Sequence, residues 1–333
     1  MSLLYEDISP KALELGHETA IAIDLKALQK RKAEFVKVPC PACAFDKYTL
    51  AYIKYEMTFV ICDNCKTQYI SPRPTPEILK AHYTNSANYE YWAKYFFPMT
   101  AVTRKEKIFA PRAKLVSEIS KRYNVGSELL IEVGSGFGFF CEKMKELNVF
   151  KKIIGIEPTP HLAQICREQG IEVIESVIED IKFYSAADVV VSFEVIEHLF
   201  EPKAFLENCY NILKPNGFIV LTCPNINGFE TQMLGRFSDS VDYEHLNYFL
   251  PESLSLLVSR VGFEVVEVKT PGVLDCDIVA SRLLDKKKES IVVDPFIKRI
   301  LLDESRDVRD GFQNFLTASG LSSNMMIIAR KPN

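Results

Sequence analysis

Ile131-Glu132-Val133-Gly134-Ser135-Gly136-Phe137-Gly138 decides the reading of this chain, because it carries the spacing E-x-G-x-G-x-G. The apolar run Leu129-Leu130-Ile131 leading into it reads as a buried strand, and Phe139 to Leu147 after it reads as a helix. Strand, glycine-rich turn and helix in that order form the first unit of a nucleotide-cofactor site. Glycines let the backbone turn sharply and let a ligand approach its N–H groups closely. Nicotinamide-binding loops place two residues between the second and third glycines and hold a pyrophosphate at the helix N-terminus; here there is one. A carboxylate two residues before the first glycine suits a ligand with an amino-acid tail, whose ammonium group Glu132 would orient through bound water or backbone. The loop residues expected at the cofactor are thus Glu132, Gly134, Ser135, Gly136, Phe137 and Gly138.

A second signal follows it. The short apolar strand Ile153-Ile154-Gly155-Ile156 ends at Glu157-Pro158, and Glu157 lies 19 residues after Gly138. An acid near this position grips both hydroxyls of a ribose, since two carboxylate oxygens match a vicinal diol.

With these two features the chain resembles the class I S-adenosylmethionine-dependent methyltransferases, well over about 127–224 and more weakly beyond. Two further stretches carry the likeness: Asp188-Val189-Val190-Val191-Ser192-Phe193-Glu194-Val195-Ile196-Glu197-His198, and Leu213-Lys214-Pro215-Asn216-Gly217 followed by Phe218-Ile219-Val220-Leu221. The first looks like that family's fourth strand and following turn, the second like its helix, turn and fifth strand. The resemblance implies a doubly wound, Rossmann-like α/β sheet of seven strands with helices on both faces and an antiparallel last strand. It implies S-adenosylmethionine as cofactor, with Pro158, Phe193, Glu194 and His198 joining the loop residues and Glu157 around it.

Composition agrees with an enzyme built on a sizeable core: 333 residues, 47% hydrophobic. No apolar run approaches the ~18–20 residues needed to span a bilayer, and the N-terminus MSLLYEDISP lacks a basic region followed by an apolar stretch. A cytoplasmic location without membrane partner is the expectation. The formal charge of -4 does not favour a polyanionic partner.

Four of the nine cysteines form a pattern: Cys40-Pro41-Ala42-Cys43 and Cys62-Asp63-Asn64-Cys65. Two C-x2-C knuckles supply four thiolates, the ligand set of a structural zinc site with no open coordination position. The alternative, two disulfides in an exported protein, conflicts with the absent signal. Tyr48, Leu50 and Tyr52 alternate as a hairpin strand does, and a module this small needs its Zn2+ for stability. Cys141, Cys166, Cys209, Cys223 and Cys276 sit singly in apolar contexts and read as packing residues, with Cys223 nearest the expected site.

The boundaries read as an N-terminal helical segment over 1–35, opened by Ser9-Pro10, then a zinc-ribbon-like module over 36–73 and a helical cap over 74–125. The methyltransferase domain covers 126–333, with a helical insertion at about 277–318. Gly262 to Val268 and Asn324 to Ala329 read as the last two strands. The aromatic residues from Tyr83 to Phe97 either line a substrate pocket or pack against the zinc module.

Methyl transfer from a sulfonium needs an aligned nucleophile and, for a protonated acceptor, a base. His198 either supports the cofactor pocket or acts as that base. Asp242-Tyr243-Glu244-His245-Leu246-Asn247-Tyr248-Phe249 lies in the loop after the fifth strand, where ligands of such sheets bind. His245 there is a base candidate, or merely an anchor for its loop. With the four-cysteine module, this stretch resembles the zinc-containing C-methyltransferases of nucleotide-linked deoxy-sugars. That resemblance implies His245 and Glu244 as catalytic residues, Tyr243 less directly, and Tyr89 or Tyr91 by location alone. Fewer than about 70 residues follow the sixth strand, shorter than that family's C-terminal domain.

Three readings follow. The first is a methyltransferase for a small-molecule acceptor such as a nucleotide-linked sugar or a polysaccharide or natural-product precursor. The second is a ribosomal-RNA methyltransferase with a zinc module. Against it, 36–73 carries Lys37, Lys47, Lys54, Lys66 and Arg73 against Asp46, Glu56 and Asp63; four thiolates and one Zn2+ bring the module to about neutral, a poor lure for phosphate. The third is a non-catalytic cofactor-binding scaffold. The acceptor atom and the oligomeric state are left open by the sequence.

Overall fold

The computed structural model describes residues 3–182, 184–285 and 291–333. Its strands are β1 Tyr48–Lys54, β2 Met57–Cys62, β3 Gln68–Ile70, β4 Leu129–Val133, β5 Lys152–Ile156, β6 Glu172–Ile174, β7 Ala187–Phe193, β8 Leu213–Pro224, β9 Asn247–Tyr248, β10 Glu264–Lys269 and β11 Asn324–Arg330. Two compact units are distinguished: one of 1–96, 223–253 and 269–326, the other of 97–222, 254–268 and 327–333.

A seven-stranded sheet in the order β10-β11-β8-β7-β4-β5-β6 forms the frame of the second unit. The pairs β6–β5, β5–β4, β4–β7 and β7–β8 are parallel. β11 runs against β8: Asn216 N–H donates to the Lys331 carbonyl at one end, Asn225 N–H to the Ser323 carbonyl at the other. This is the α/β sheet with a reversed last strand expected above. All seven residues of β7 are buried, as a Val-rich strand covered on both faces requires. Strand order reverses at β4, which lies between β5 and β7, and a ligand crevice opens outside the carboxyl ends at such a switch point.

Several boundaries differ from the expectation. β4 continues to Val133 because Glu132 and Val133 extend the ladder opposite Gly155 and Ile156. Leu213 to Gly217 is not a turn before a fifth strand but the opening of β8 itself. The register jumps from Ala187 opposite Leu213 to Val189 opposite Phe218, so the extra residues bulge without ending the strand. Pro10 does not start the N-terminal helix: its backbone is extended (φ -65, ψ 128) and caps the tight turn Lys11–Leu13, and the helix proper is Glu14–Gln29.

The first unit holds an antiparallel sheet, β1-β2-β3-β9, around the cysteine knuckles. The insertion at about 277–318 includes the helices Asp275–Leu284, Pro295–Lys298 and Arg306–Ala318, packed on Leu234, Cys276, Val279, Ala280, Leu301 and Leu316. Its residues 286–290 lie outside the described residues. Among the described residues no helix is long and apolar enough to cross a membrane.

Candidate active site

The three loop glycines all have positive φ, at +78°, +52° and +72° for Gly134, Gly136 and Gly138, a region that favours glycine. Their surroundings differ. A Cβ on Gly134 would meet Val195 Cγ2 at 2.5 Å, and one on Gly138 would meet Ile171 Cδ1 at 2.4 Å. At Gly136 nothing lies within 4 Å. The outer two glycines therefore serve packing, and the middle one leaves open space above the loop.

Two buried carboxylates belong to this loop and the next strand end. Glu157 Oε2 accepts the Gly136 N–H at 2.8 Å and Oε1 accepts the Thr159 N–H at 2.9 Å, so one oxygen holds the glycine loop and the other the turn at Pro158. Burial raises the Glu157 pKa, against the pull of these two hydrogen bonds. Glu132 is 2% exposed, and Cys141 Sγ donates to its Oε2 at 3.0 Å. A thiol is a weak donor, and burial pushes the Glu132 carboxyl up to about 8. Ser135 completes the turn by accepting the Gly138 N–H through its carbonyl, and Phe137 stacks on Phe97 at 4.1 Å. Glu132 at the end of β4 and Glu157 on the Gly136 N–H are carboxylates that can hold a cofactor with an amino-acid end and a ribose end.

At the end of β7, Phe193 lies under the Arg112 guanidinium at 4.9 Å. Glu194 adopts a left-handed φ of +56° and its Oε1 accepts from Arg112 Nη2 at 3.0 Å and Thr222 Oγ1 at 2.6 Å. His198 closes the short turn Ile196–His198. Arg112 and Thr222 are absent from the sequence-derived set: neither sits in a motif, and only the fold brings them to Glu194. A cavity of about 260 Å³ opens instead at the amino end of β7; its Asp188 is already engaged by the Glu128 and Leu129 N–H groups and by Lys214.

In the first unit, Asp242 shapes the histidine loop by accepting the Glu244 and His245 N–H groups on Oδ1, both at 2.8 Å. His245 Nδ1 lies 2.8 Å from the Ser240 carbonyl, and Asp242 Oδ2 lies 3.8 Å from its Nε2. Glu244 turns to other partners: His82 Nε2 at 3.2 Å on Oε1 and Asn88 Nδ2 at 3.2 Å on Oε2. Burial raises its pKa. Tyr243 donates to Asp24 Oδ2 at 3.2 Å, and burial beside Glu244 and Asp24 drives its phenol well above the ordinary range. Arg73 is fully buried and binds the Leu246 carbonyl and Asn247 Oδ1. Sequence reading missed His82, Asn88, Asp24 and Arg73, which approach this loop only through tertiary structure.

The aromatic residues of 83–97 divide. Trp92 donates to His17 Nε2 at 3.1 Å and stacks on Phe96, and Tyr91 donates to the Leu13 carbonyl, so this part packs on the N-terminal helical segment. Tyr89 meets Tyr83 edge to face.

The sulfurs of Cys40, Cys43, Cys62 and Cys65 all lie within 4.8 Å of one another, with Cys40–Cys65 at 3.4 Å and Cys43–Cys62 at 3.5 Å. A tetrahedron of ~2.3 Å Zn–S bonds spaces its sulfurs about 3.8 Å apart. Both knuckles end in a left-handed residue, Ala44 at +62° and Lys66 at +64°, so the two halves repeat one conformation. Four thiolates so arranged can hold a metal ion. The other five cysteines are buried.

Residues 104–268 match the family model described as a methyltransferase domain. Ubiquinone biosynthesis O-methyltransferase of Bradyrhizobium sp. (strain ORS 278) is 27% identical over 187 residues, 54% of this chain and 67% of that protein. Its namesake in Bradyrhizobium diazoefficiens is 26% identical over 192 residues, 55% and 69% of the two chains. Among solved structures, a SAM-dependent methyltransferase from Archaeoglobus fulgidus aligns at a TM-score of 0.44 and 19% identity, over 72% of this chain and 100% of that one.

Proposed function

We propose that this chain, which carries an S-adenosylmethionine-dependent methyltransferase domain, transfers the cofactor's methyl group to a small molecule, with His245 as the base that takes the acceptor's proton. The cofactor supplies an electrophilic methyl on a sulfonium. The chain's own residues hold its two polar ends: Glu132 the ammonium, Glu157 the ribose through the oxygen lone pairs that its two backbone hydrogen bonds leave unused, and the loop 134–138 the space between. Phe193, Glu194 and His198 complete the pocket in this reading.

The observation that carries the base is the pairing of His245 Nδ1 with the Ser240 carbonyl. A carbonyl only accepts, so a neutral ring bonded there keeps its proton on Nδ1 and its lone pair on Nε2. Asp242, 3.8 Å from Nε2, would stabilise the imidazolium that forms when this nitrogen takes a proton. A hydroxyl acceptor has the support of two relatives named O-methyltransferases. A nucleotide-linked sugar or a polysaccharide or natural-product precursor falls in the same class of acidic O–H or C–H donor. Glu244 and Tyr243 then hold the loop from their buried side. The four cysteines bind one structural Zn2+ in the first unit.

The test is methyl transfer from labelled cofactor to panels of phenols and nucleotide sugars. His245→Ala is expected to lose roughly 10²–10⁴-fold in turnover with cofactor affinity unchanged. Full activity in that variant would remove the base.

A further inference from the structure

We propose that His82 is a positioning residue for methyl transfer: acting through Glu244, it fixes the loop that presents the base nitrogen of His245. This rests on the reading of His245 as the base, and the test below separates the two.

His82 lies on the helix Pro76–Asn85, 162 residues before Glu244, and its side chain is 6% exposed. Its Nε2 meets Glu244 Oε1 at 3.2 Å, and its ring stands edge to face on Tyr243 at 5.8 Å. Asn88, on the next helix, donates to the second Glu244 oxygen. Asp24 holds the Tyr243 phenol, and the same carboxylate accepts Ser86 Oγ at 2.5 Å and the Ala87 and Asn88 N–H groups at 2.8 and 3.0 Å. Asp24 therefore caps the helix Ala87–Tyr91. Of this cluster, only the His82–Glu244 contact joins a ring to the residue that directly precedes His245.

That adjacency gives the contact its consequence. The Glu244 and His245 N–H groups share Asp242 Oδ1, so the backbone between them is already pinned on one side. His82 and Asn88 pin the Glu244 side chain on the other. With both sides held, the direction in which His245 leaves the backbone is set, and with it the reach from Nδ1 to Ser240. Removing the His82 nitrogen leaves a buried Glu244 oxygen without that partner, a cost of about 1–3 kcal/mol met most cheaply by letting the loop shift.

The test needs no acceptor. Long-range ¹H–¹⁵N correlation spectra of the full chain report the tautomer of each of its five histidines, assigned by single substitution. In the wild type His245 is expected as the Nδ1–H tautomer. His82→Phe keeps a ring against Tyr243 but no nitrogen, and is expected to lower the His245 Nδ1–H to Nε2–H ratio by about tenfold, the equivalent of one hydrogen bond. His82→Gln restores a donor and is expected to recover the wild-type ratio. An unchanged ratio in His82→Phe, or failure of His82→Gln to recover it, overturns the proposal. Should His82→Phe not fold, Glu244→Leu reads the same link from its other end, since leucine fills the buried space but offers neither His82 nor Asn88 a hydrogen-bonding atom; an unchanged His245 there also overturns it. A wild-type His245 found as Nε2–H would defeat the base assignment itself, whatever the variants show.

Discussion

Glu157 Oε2 accepts the backbone N–H of Gly136 at 2.8 Å, tying the end of β5 to the middle glycine of the loop after β4. The acid proposed to grip a ribose is thereby also the clamp that shapes the glycine loop. Glu157→Ala removes both functions and is expected to weaken S-adenosylmethionine binding at least tenfold by calorimetric titration. Glu157→Gln keeps one acceptor oxygen and should fall between the two. Wild-type affinity in Glu157→Ala would show that neither function matters.

The glycines separate packing from ligand space. Gly138→Ala adds a 2.4 Å clash with Ile171 to the ~1–2 kcal/mol of a left-handed alanine, and should lower the melting temperature clearly. Gly136→Ala meets no neighbour within 4 Å, so it should cost only the backbone term yet still impair cofactor binding; Gly136→Val should block it. Equal destabilisation by both alanines would contradict this division.

Glu132 makes stability depend on pH with a definite sign. Its carboxyl is raised to about 8 in the native chain from 4.5. The native state then holds a proton that the unfolded state gives up, so the contribution is full below pH 4.5 and is lost as pH rises to 8. Glu132→Gln should gain on the wild type by about 1.4 kcal/mol per pH unit across that window, read by urea unfolding at pH 5.5, 6.5 and 7.5. Glu230, also raised to about 8 by burial, should behave alike. A difference independent of pH would mean that Glu132 is ionised in the folded chain.

The same proton predicts how the cofactor binds. An ammonium beside Glu132 favours the carboxylate, so binding at pH 6.5 should release close to one proton, about one per site. Titrations in buffers of different ionisation enthalpy measure it, and Glu132→Gln should abolish it. No release in the wild type would place the ammonium elsewhere.

Zinc is tested by substitution. Cys40→Ser should lose most of about one bound zinc per chain and destabilise the β1-β2-β3-β9 sheet. Unchanged zinc by metal analysis would defeat that assignment.

Much of the sheet was legible because its signals are local. Glycine spacing records the sign of φ, the Val-rich run of β7 records burial on both faces, and Glu157 follows its strand at a fixed distance. The Phe139–Leu147 helix has the expected bounds for the same reason. Partners brought together by tertiary structure leave no such trace. His82 reaches Glu244 across 162 residues, and Arg112 reaches Glu194 across 82. Arg73 counts in sequence as one of the five cations of 36–73, yet it is buried on backbone carbonyls. Pairing Glu244 with His245 from their adjacency missed that neighbouring side chains can leave the backbone toward different partners.

The most direct measurement is isothermal titration of the purified chain with S-adenosylmethionine and, separately, with NAD. Binding of the first alone is the predicted result. Failure to bind S-adenosylmethionine, or equal binding of NAD, would contradict the cofactor site built on Glu132, Gly136 and Glu157, and the methyl transfer that depends on it.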